Sequence, residues 1–224
     1  MINMELSATG YGYNAIYYTT EFQTILKGLF ACYKMMLNDN VEVSNDENKI
    51  RDKLLFDYLN NDNIKSTIGW NYLFNGEVLE RSGGKVDIKI QSRNPLRETE
   101  AYYIIECKRI NNKNTNGTSG LNAAYIKNGI YRFVRKNYST NCGINAMIGF
   151  VVEAMDIHSN IQKINALLKK KFTDCNTTEY IQKESFIPNF EFHYSSKHDN
   201  VDKVSFILYH LMFDFSNNIH ENKS

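Results

Sequence analysis

The chain has few of the residues and segments that identify several common classes of protein. Its four cysteines, among 224 residues, have no Cys-x-x-Cys spacing, which argues against a zinc ribbon and against a disulfide framework. Its five histidines have no paired spacing typical of metal ligands. No stretch approaches the roughly 20 apolar residues of a membrane span, and residues 1–10 contain no basic segment followed by an apolar run. We therefore expect a cytoplasmic protein without a signal peptide or a membrane partner.

Neither sign of charge is in excess over the whole chain. The formal net charge is +1, which gives no global electrostatic reason to expect binding to nucleic acid or to a membrane. The segment from Lys85 to Lys136 nevertheless contains eleven Lys or Arg against four Asp or Glu, a surplus of 11 − 4 = 7, so the remainder carries 1 − 7 = −6. Such a segment suits an enzyme that acts on a polyanion, although a solvated charged face is the more common cause of a local excess.

The pattern of apolar residues indicates the fold class. The chain is 42% hydrophobic, enough for one sizeable core, so one domain over residues 1–224 is expected. Three- and four-residue spacing predicts helices at 20–38, 45–61, 121–137 and 157–171. Alternating or continuous apolar runs predict strands at 72–79, 85–90, 102–110, 144–152, 186–194 and 204–215. The first of these strands contains Asn75-Gly76, a candidate tight turn. The order predicts an α/β protein with a central mixed sheet flanked by helices.

Two neighbouring strands in this prediction carry acids. Asp87 follows Gly-Gly-Lys-Val at the start of one strand, and Glu106-Cys107-Lys108 ends the next. Because successive side chains of a strand point to opposite faces, Glu106 and Lys108 share a face that Cys107 does not. Two carboxylates and an ammonium would then converge at one edge of the sheet. Like charges a few ångströms apart repel strongly in a protein, and a bound divalent cation would offset that repulsion.

The acid-x-Lys pattern alone is not specific, because it occurs four times, at Glu47-Asn-Lys49, Asp87-Ile-Lys89, Glu106-Cys-Lys108 and Glu221-Asn-Lys223. Only the middle two lie in strand-like sequence. The simplest alternative is a surface salt bridge from Glu106 to a basic residue at the end of a strand. A shifted motif, in which Lys89 acts with Glu77 or Glu80 upstream, leaves Glu106 without a role.

The order αβββαβ, with Gly84-Lys-Val-Asp87 entering one strand and Ile-Ile-Glu106-Cys-Lys108 ending the next, resembles the PD-(D/E)XK nuclease superfamily. This resemblance implies a restriction-endonuclease-like fold with a core at about 46–152, preceded by an extra N-terminal helix within about 20–62 and followed by a helix and strands at about 157–215. The chain departs from the family name, since valine replaces proline before Asp87. The helix at 121–137 lacks the Gln-x-x-x-Tyr of the exonuclease-like branch and resembles a helix of bacterial members, some of which lie near phage-defence genes.

The resemblance implies a divalent-metal-dependent endonuclease that hydrolyses DNA phosphodiester bonds with Mg²⁺ or Mn²⁺. Asp87, Glu106 and the backbone carbonyl of Cys107 would be the metal ligands, and Lys108 would be the catalytic cation. Many members place a further acid on the helix before the first strand. In this chain Glu47 resembles that acid, with Asp46 as the alternative. One or two carboxylates are the usual protein contribution to a Mg²⁺ site, which agrees with this set.

Several basic residues are candidates for phosphate contacts, which position nucleic acid without reading its sequence. These candidates are Lys85, Arg109, Lys127, Arg132 and Arg135. Two other functions remain open: a nucleic-acid-binding or assembly subunit with the same fold but no catalysis, and an RNase that uses the same site. A homodimer is also considered, with the apolar, Tyr-containing segment Val204–Phe215 as the self-interface.

Overall fold

The computed structural model describes residues 13–79, 83–91, 102–138 and 143–220, with side chains from residue 16 onward. The helices are α1 Tyr13–Asn38, α2 Glu47–Lys53, α3 Asp62–Ile68, α4 Leu121–Tyr125, α5 Tyr131–Val134 and α6 Ile157–Lys170. Three irregular helical turns accompany them: a π-helical turn, Leu54–Leu59, that continues α2, a second, Ile126–Ile130, that joins α4 to α5, and a 3₁₀ turn, Thr173–Cys175. Three residues of the patterns above, Glu80, Glu221 and Lys223, lie outside the described residues.

The strands are β1 Val43–Ser44, β2 Leu73–Leu79, β3 Lys85–Gln91, β4 Tyr102–Ile110, β5 Ile144–Val151, β6 Thr177–Lys183, β7 His193–Asp199, β8 Ser205–Asp214 and β9 Ile219–His220. Seven of them form one mixed sheet in the order β2-β3-β4-β5-β8-β7-β6, and β1 pairs with β9 separately. The pairs β4–β5 and β5–β8 are parallel, whereas the outer pairs of the large sheet are antiparallel. A mixed sheet flanked by helices, the coarse fold prediction, is therefore confirmed.

Helices cover both faces of the sheet, so its central strands are buried on both sides. On one face α1, α2 with its π-helical turn, and α3 enclose a core cluster that includes Ile105 and Cys107 of β4. On the other face α4, α5 and α6 enclose a second cluster that includes Ile104 and Ile110. Burial on two faces explains why β4 and β5 read as continuous apolar runs in the sequence. Polar residues within such strands therefore stand out.

Local sequence signals fix the ends of two helices. Asp46 precedes α2 and its side chain accepts a hydrogen bond from the backbone of Lys49, and Asp156 precedes α6 and accepts one from the backbone of Ser159. Each cap satisfies an amide that has no partner inside its helix. The apolar stripe of α1 is fully buried, as its spacing predicts, at Phe22, Ile25, Leu29, Cys32 and Met36.

Some predicted elements were wrong. Asn75-Gly76 is not a turn, because β2 runs through it in continuous pairing with β3. The strand predicted at 186–194 begins only at His193. Its aromatic residues are buried for another reason: Phe190 stacks on Phe30 of α1 at 4.4 Å between ring centroids, as part of a loop. The short helix α3 and the edge strand β6 were not predicted.

The segment Val204–Phe215 is not available as a self-interface. Its strand β8 lies inside the sheet, between β5 and β7, and its side chains from Leu208 to Phe213 are buried. The apolar, aromatic composition that suggested an exposed dimer surface is therefore the composition of a central strand.

Candidate functional site: a carboxylate cluster around Lys108

The pairing of β3 with β4 brings the two predicted acids together. Ile88 pairs with Ile105, so the next residues, Asp87 and Glu106, come close together at the end of this pairing, where Asp87 Oδ2 accepts a hydrogen bond from the Cys107 amide. Lys108 lies two residues after Glu106 on β4, and its Nζ lies 2.7 Å from Glu106 Oε1. Alternation along β4 thus places Glu106 and Lys108 on one face, as the sequence predicts.

The ammonium of Lys108 lies at the centre of four oxygen atoms. Besides Glu106 Oε1, its Nζ lies 2.9 Å from Glu47 Oε1, 2.6 Å from the carbonyl oxygen of Cys107 and 3.6 Å from Asp87 Oδ2. We call Glu47, Asp87, Glu106 and Lys108 the carboxylate cluster. Lys108 itself is only 7% exposed and Glu106 is fully buried. Three acids and a carbonyl therefore surround one buried cation.

Helix α2 supplies the third acid, and it is Glu47 rather than Asp46. The side chain of Asp46 caps α2, whereas Glu47, in the first turn, reaches β4. There Glu47 Oε2 accepts a hydrogen bond from the backbone nitrogen of Arg109 at 3.0 Å while Oε1 contacts Lys108. The two neighbouring acids therefore have different roles. Asp46 accepts a hydrogen bond from an amide of α2, and Glu47 contacts Lys108 and Arg109 of β4.

Arg51 holds Asp87 from the other side, and the sequence reading missed it. Its guanidinium, 2% exposed, donates to Asp87 Oδ1 at 2.9 Å and also contacts Asp52 and Glu77 at 2.7 and 3.2 Å. The second oxygen of Asp87 accepts a hydrogen bond from the backbone nitrogen of Cys107 at 2.8 Å. One signal could have found Arg51: it lies four residues after Glu47 and so shares its face of α2.

Glu106 is held by two residues that follow α4. Arg132 Nη1 donates to Glu106 Oε1 at 3.0 Å, and the hydroxyl of Tyr138 lies 2.6 Å from Glu106 Oε2. Tyr138 reaches β3 as well, where its hydroxyl lies 2.8 Å from the carbonyl oxygen of Lys85. Gly84 permits this close approach, because a Cβ at that position would lie 2.4 Å from the carbonyl oxygen of Asn137. From its sequence position, Arg132 is predicted to contact a phosphate of the nucleic acid, and Tyr138 is not among the predicted site residues.

A second glycine lets the helical segment pack onto the cluster. Gly129 lies in the π-helical turn between α4 and α5, and a Cβ there would be 2.1 Å from Met147 Cε and 3.6 Å from Lys108 Cγ. A larger residue would require the end of the Met147 side chain to shift. Since Arg132 follows on the same segment, Gly129 also helps to set its distance from Glu106.

Burial and charge shift the pKa values of the two central groups in ways that fit their contacts. Burial, aided by the charge of Asp87, raises the pKa of Glu106 to about 7. Burial by itself lowers the pKa of Lys108, but attraction by Glu106, Asp87 and Glu47 outweighs burial and raises it. The Lys108 ammonium therefore stays charged at neutral pH. Burial raises the pKa of the Cys107 thiol well above its usual value, so this thiol is a neutral core side chain.

The predicted phosphate-binding residues divide into two groups. Lys85 is paired with Glu77 at 2.7 Å, and Arg109 donates to the carbonyl and side-chain oxygens of Asn45, so both are engaged. The remaining three, Lys127, Arg132 and Arg135, line one surface groove together with Asn128, Tyr131 and Asn137. Arg132 connects that groove to the cluster through its contact with Glu106. The structure thus brings three of the five candidates together and not the other two.

The shifted motif is not assembled with Glu77, and Glu80 lies outside the described residues. Glu77 is occupied by Lys85 and Arg51, and the ammonium of Lys89 lies over the ring of Tyr102, 3.5 Å from its centroid. Lys89 and Glu77 therefore do not form a cluster with Asp87 that resembles the one around Lys108.

The donors of the carboxylate cluster suit Mg²⁺ or Mn²⁺ in chemical type, because they are carboxylate and carbonyl oxygens. In the structure these oxygens are arranged around the Lys108 ammonium. Over the described ranges, no group of three or more His, Cys, Asp or Glu side chains is arranged to hold a metal ion. A metal bound by Glu47, Asp87 and Glu106 would therefore require Lys108 to turn aside.

Comparison with known proteins identifies no family. No protein-family model, curated protein or solved structure matches the chain. None of the helices in the described part of the chain has both the length and the apolarity needed to cross a bilayer. Function is therefore inferred from the geometry and chemistry of the cluster.

Proposed function

We propose that the chain is a divalent-metal-dependent endonuclease of the PD-(D/E)XK type that hydrolyses phosphodiester bonds of DNA. The observation that carries this proposal is the convergence of Glu47, Asp87, Glu106 and the Cys107 carbonyl on one cation position. The element order from α2 through β2, β3 and β4 to the α4–α5 segment and β5 supports a restriction-endonuclease-like core. The added helix α3, between α2 and β2, is a departure from that order.

In this proposal Asp87, Glu106, the Cys107 carbonyl and Glu47 hold Mg²⁺ or Mn²⁺. The metal would lower the pKa of a water and offset negative charge at the phosphate. Arg51 and the Cys107 amide fix both oxygens of Asp87, and Tyr138 with Arg132 fixes Glu106. Such contacts orient ligating carboxylates before substrate arrives.

Lys108 has an electrostatic role in this proposal. Because its carboxylate neighbours raise its pKa, the side chain is an ammonium and not a free amine. A cation beside a phosphate would stabilise the charge that accumulates on the phosphorane oxygens, and its hydrogens would orient the attacking water.

Cleavage of DNA by variants tests the proposal. Purified protein with Mg²⁺ or Mn²⁺ should cut DNA, EDTA should stop the reaction, and Asp87→Ala and Lys108→Ala should each abolish it. Matched controls come from the surface pair Lys197–Glu179, 2.6 Å apart and well removed in the sheet on β7 and β6. Lys197→Ala and Glu179→Ala should cut like wild type. Equal cutting by all five proteins would reveal a contaminant and refute the assignment.

A second candidate is favoured by the position of the Lys108 ammonium, which occupies the centre of the donor set. In that case the chain is a nucleic-acid-binding or assembly subunit, and the cluster only stabilises the fold. Salt-sensitive binding to DNA without turnover in any divalent metal would support it. An RNase would use the same residues, and parallel assays on DNA and RNA of one sequence distinguish the two substrates.

A further inference from the structure

The groove beside the carboxylate cluster has features that the cluster does not explain. It begins at a cavity of about 270 Å³ lined by Lys127, Asn128, Tyr131, Arg132, Arg135 and Asn137. An adjoining cavity of about 290 Å³ shares three of these residues and adds Thr118, Lys171, Phe172 and Asp174. We call the two cavities together the basic groove. It is built by the π-helical turn Ile126–Ile130, by α5 and the residues that follow it, by the residues that follow α6, and by the loop before α4.

Charge in the basic groove is mostly uncompensated. Lys127, Arg135 and Lys171 have no carboxylate within ion-pair distance among the described residues, unlike Lys136, whose ammonium pairs with Asp202. The one acid that lines the groove, Asp174, accepts a hydrogen bond from the hydroxyl of Tyr131. A concave surface with unpaired cations attracts an anion and raises its local concentration.

Two aromatic side chains lie among these cations. Tyr131 and Phe172 each pack one part of the ring against the second core cluster and remain partly exposed. The guanidinium of Arg135 lies 4.0 Å from the centroid of the Tyr131 ring and donates to its hydroxyl at 3.0 Å. Contacts to the hydroxyl and to the core hold this ring in place. A cationic groove with fixed aromatic rings is the arrangement that binds single-stranded nucleic acid, with phosphates on the cations and bases on the rings.

The dimensions also favour one strand. Each cavity is near the lower limit, about 300 Å³, of pockets that enclose small ligands, which is a suitable size for one nucleotide. Resting on the proposed function, we propose that the basic groove binds a single strand of nucleic acid and leads it to the carboxylate cluster.

Arg132 lies where the groove meets the cluster. It lines the first cavity, is 38% exposed, and donates to Glu106 at 3.0 Å. A strand whose phosphates lie on Lys127 and Arg135 would therefore run toward Arg132 and, beyond it, toward the carboxylate cluster. The substrate class assigned to the site is thus a single strand, or a duplex with a separated end.

Binding in EDTA tests this without any turnover. Fluorescence anisotropy compares a labelled single strand with the blunt duplex of the same sequence, using wild type and the double variant Lys127→Glu/Arg135→Glu. The control, Lys27→Glu/Lys34→Glu, makes the same change of net charge on exposed residues of α1, on the opposite face of the sheet. Thermal unfolding checks that all variants are folded.

We expect wild type to bind the single strand more tightly than the duplex. The groove variant should bind the single strand at least about tenfold more weakly. The slope of its log Kd against log salt concentration should be smaller by about 0.7 for each phosphate contact removed. The α1 control should bind the single strand nearly as wild type does. Tyr131→Ala should weaken binding roughly tenfold through lost stacking, and Tyr131→Phe should restore most of that loss.

Two results would overturn the inference: tighter binding to the blunt duplex, or equal loss of affinity in the groove variant and the α1 control. Either result could occur in an active nuclease, so it would leave the proposed function standing. Conversely, groove-dependent binding to a single strand with no cleavage in any metal would refute the nuclease and retain the groove.

Discussion

One row of residues across the sheet connects two buried polar groups of opposite character. Glu106 of β4 pairs with Met147 of β5, and Met147 pairs with His210 of β8. On one side of Met147 lies the carboxylate cluster, which is charged. On the other side lies a chain of neutral hydrogen-bonding groups. Glu106 and His210 are on the same face of the sheet as Met147, and α2 adds Glu47 to the cluster.

The neutral group, which we call the histidine chain, consists of Tyr125, His210, Ser196 and His198. Tyr125 OH and His210 Nδ1 are 2.8 Å apart, as are His210 Nε2 and Ser196 Oγ, and Ser196 Oγ and His198 Nε2. His198 Nδ1 lies 3.1 Å from the carbonyl oxygen of Cys175. Burial lowers the pKa of His210 to about 3 and that of His198 to about 4, so both rings are neutral.

Only one arrangement of protons satisfies every member of the histidine chain. A carbonyl oxygen can only accept, so His198 must carry its proton on Nδ1 and accept on Nε2 from Ser196. Ser196 then accepts from His210 Nε2, and His210 Nδ1 accepts from Tyr125. Every donor has an acceptor, and no position is left for a ligand. Such a closed network specifies a core.

The carboxylate cluster lacks this closure. Its charges are partly open to solvent, since the side chains of Glu47 and Asp87 are 30% and 13% exposed. Glu106, buried with its pKa raised, is close to the point where it loses its charge. A strongly shifted pKa with specific charged partners is a common feature of functional sites. Under the proposed function, reactivity lies on one side of Met147 and stability on the other.

The largest expected effect is on catalysis and should separate the two groups. Glu106→Ala should lower the rate of DNA cleavage at least about a hundredfold, because a fixed charge at the reacting centre is lost. Ser196→Ala, in the histidine chain, should leave the rate per folded molecule unchanged. Steady-state cleavage assays at equal folded concentration measure both. An equal loss in both variants would contradict the division.

Removal of the buried Arg51 guanidinium should have the next largest effect, which is on the free energy of unfolding. Arg51→Met leaves Asp87 Oδ1 without its buried cation and should lower the free energy of unfolding by about 3 kcal/mol, as for other buried ion pairs with one partner removed. Lys53→Met on the same helix breaks the exposed pair with Asp57 and should cost about 0.5 kcal/mol or less. Urea unfolding in EDTA measures both. A smaller cost for Arg51→Met than for Lys53→Met would show that Arg51 does not support the cluster.

A smaller effect on stability is expected from the histidine chain. Ser196→Ala leaves two buried ring nitrogens without a partner and should cost about 2 kcal/mol. The control is Ser119→Ala in the exposed loop before α4, which should change stability little. If Ser196→Ala unfolds at the same urea concentration as wild type, the chain of hydrogen bonds does not stabilise the core.

The last expected effect is a direction and not a size: with changing pH, the two groups alter stability with opposite sign. The pKa of Glu106 is raised from 4.5 to about 7 in the folded protein, so its contribution is complete below pH 4.5 and is lost as pH rises through 7. The free energy of unfolding of Glu106→Gln, relative to that of wild type, should therefore rise as pH increases from 4.5 through 7. The pKa of His210 is lowered from 6.5 to about 3, so its contribution is lost as pH falls below 6.5.

His210→Phe has no ring nitrogen to protonate. Its free energy of unfolding, relative to that of wild type, should therefore rise as pH falls below 6.5. Urea unfolding in EDTA at several pH values gives both differences. If the two differences vary with pH in the same direction, the assigned protonation states are wrong.

The fold was predictable where each strand carries its own signal. The sequence predicts β3, β4, β5 and α6 to within about a residue, because their apolar runs are bounded by polar or glycine residues. Strand β6 was missed because an edge strand is half exposed, and Thr177–Lys183 reads as polar. Strand β7 was displaced toward Phe186 and Phe190 because its own buried residues include Ser195, Ser196 and His198, which are polar.

The candidate site was predictable only along single elements. Alternation along β4 places Glu106 with Lys108, and the position of Glu47 in the first turn of α2 places the third acid. Arg51 and Tyr138 were missed because their roles depend on how α2 and the segment after α5 pack across the sheet. Contacts between distant segments have no local pattern, so only the three-dimensional structure identifies these supporting residues.

The central claim, that the carboxylate cluster holds a divalent metal, is tested most directly by diffraction from crystals soaked in Mn²⁺. We predict anomalous density at about 2.1 Å, as in comparable oxygen sites, from oxygens of Asp87 and Glu106 and from the Cys107 carbonyl, with the Lys108 ammonium moved away from its present position. Crystals of Asp87→Ala should lack that density. No density at the cluster, at a Mn²⁺ concentration that supports cleavage, would contradict the account.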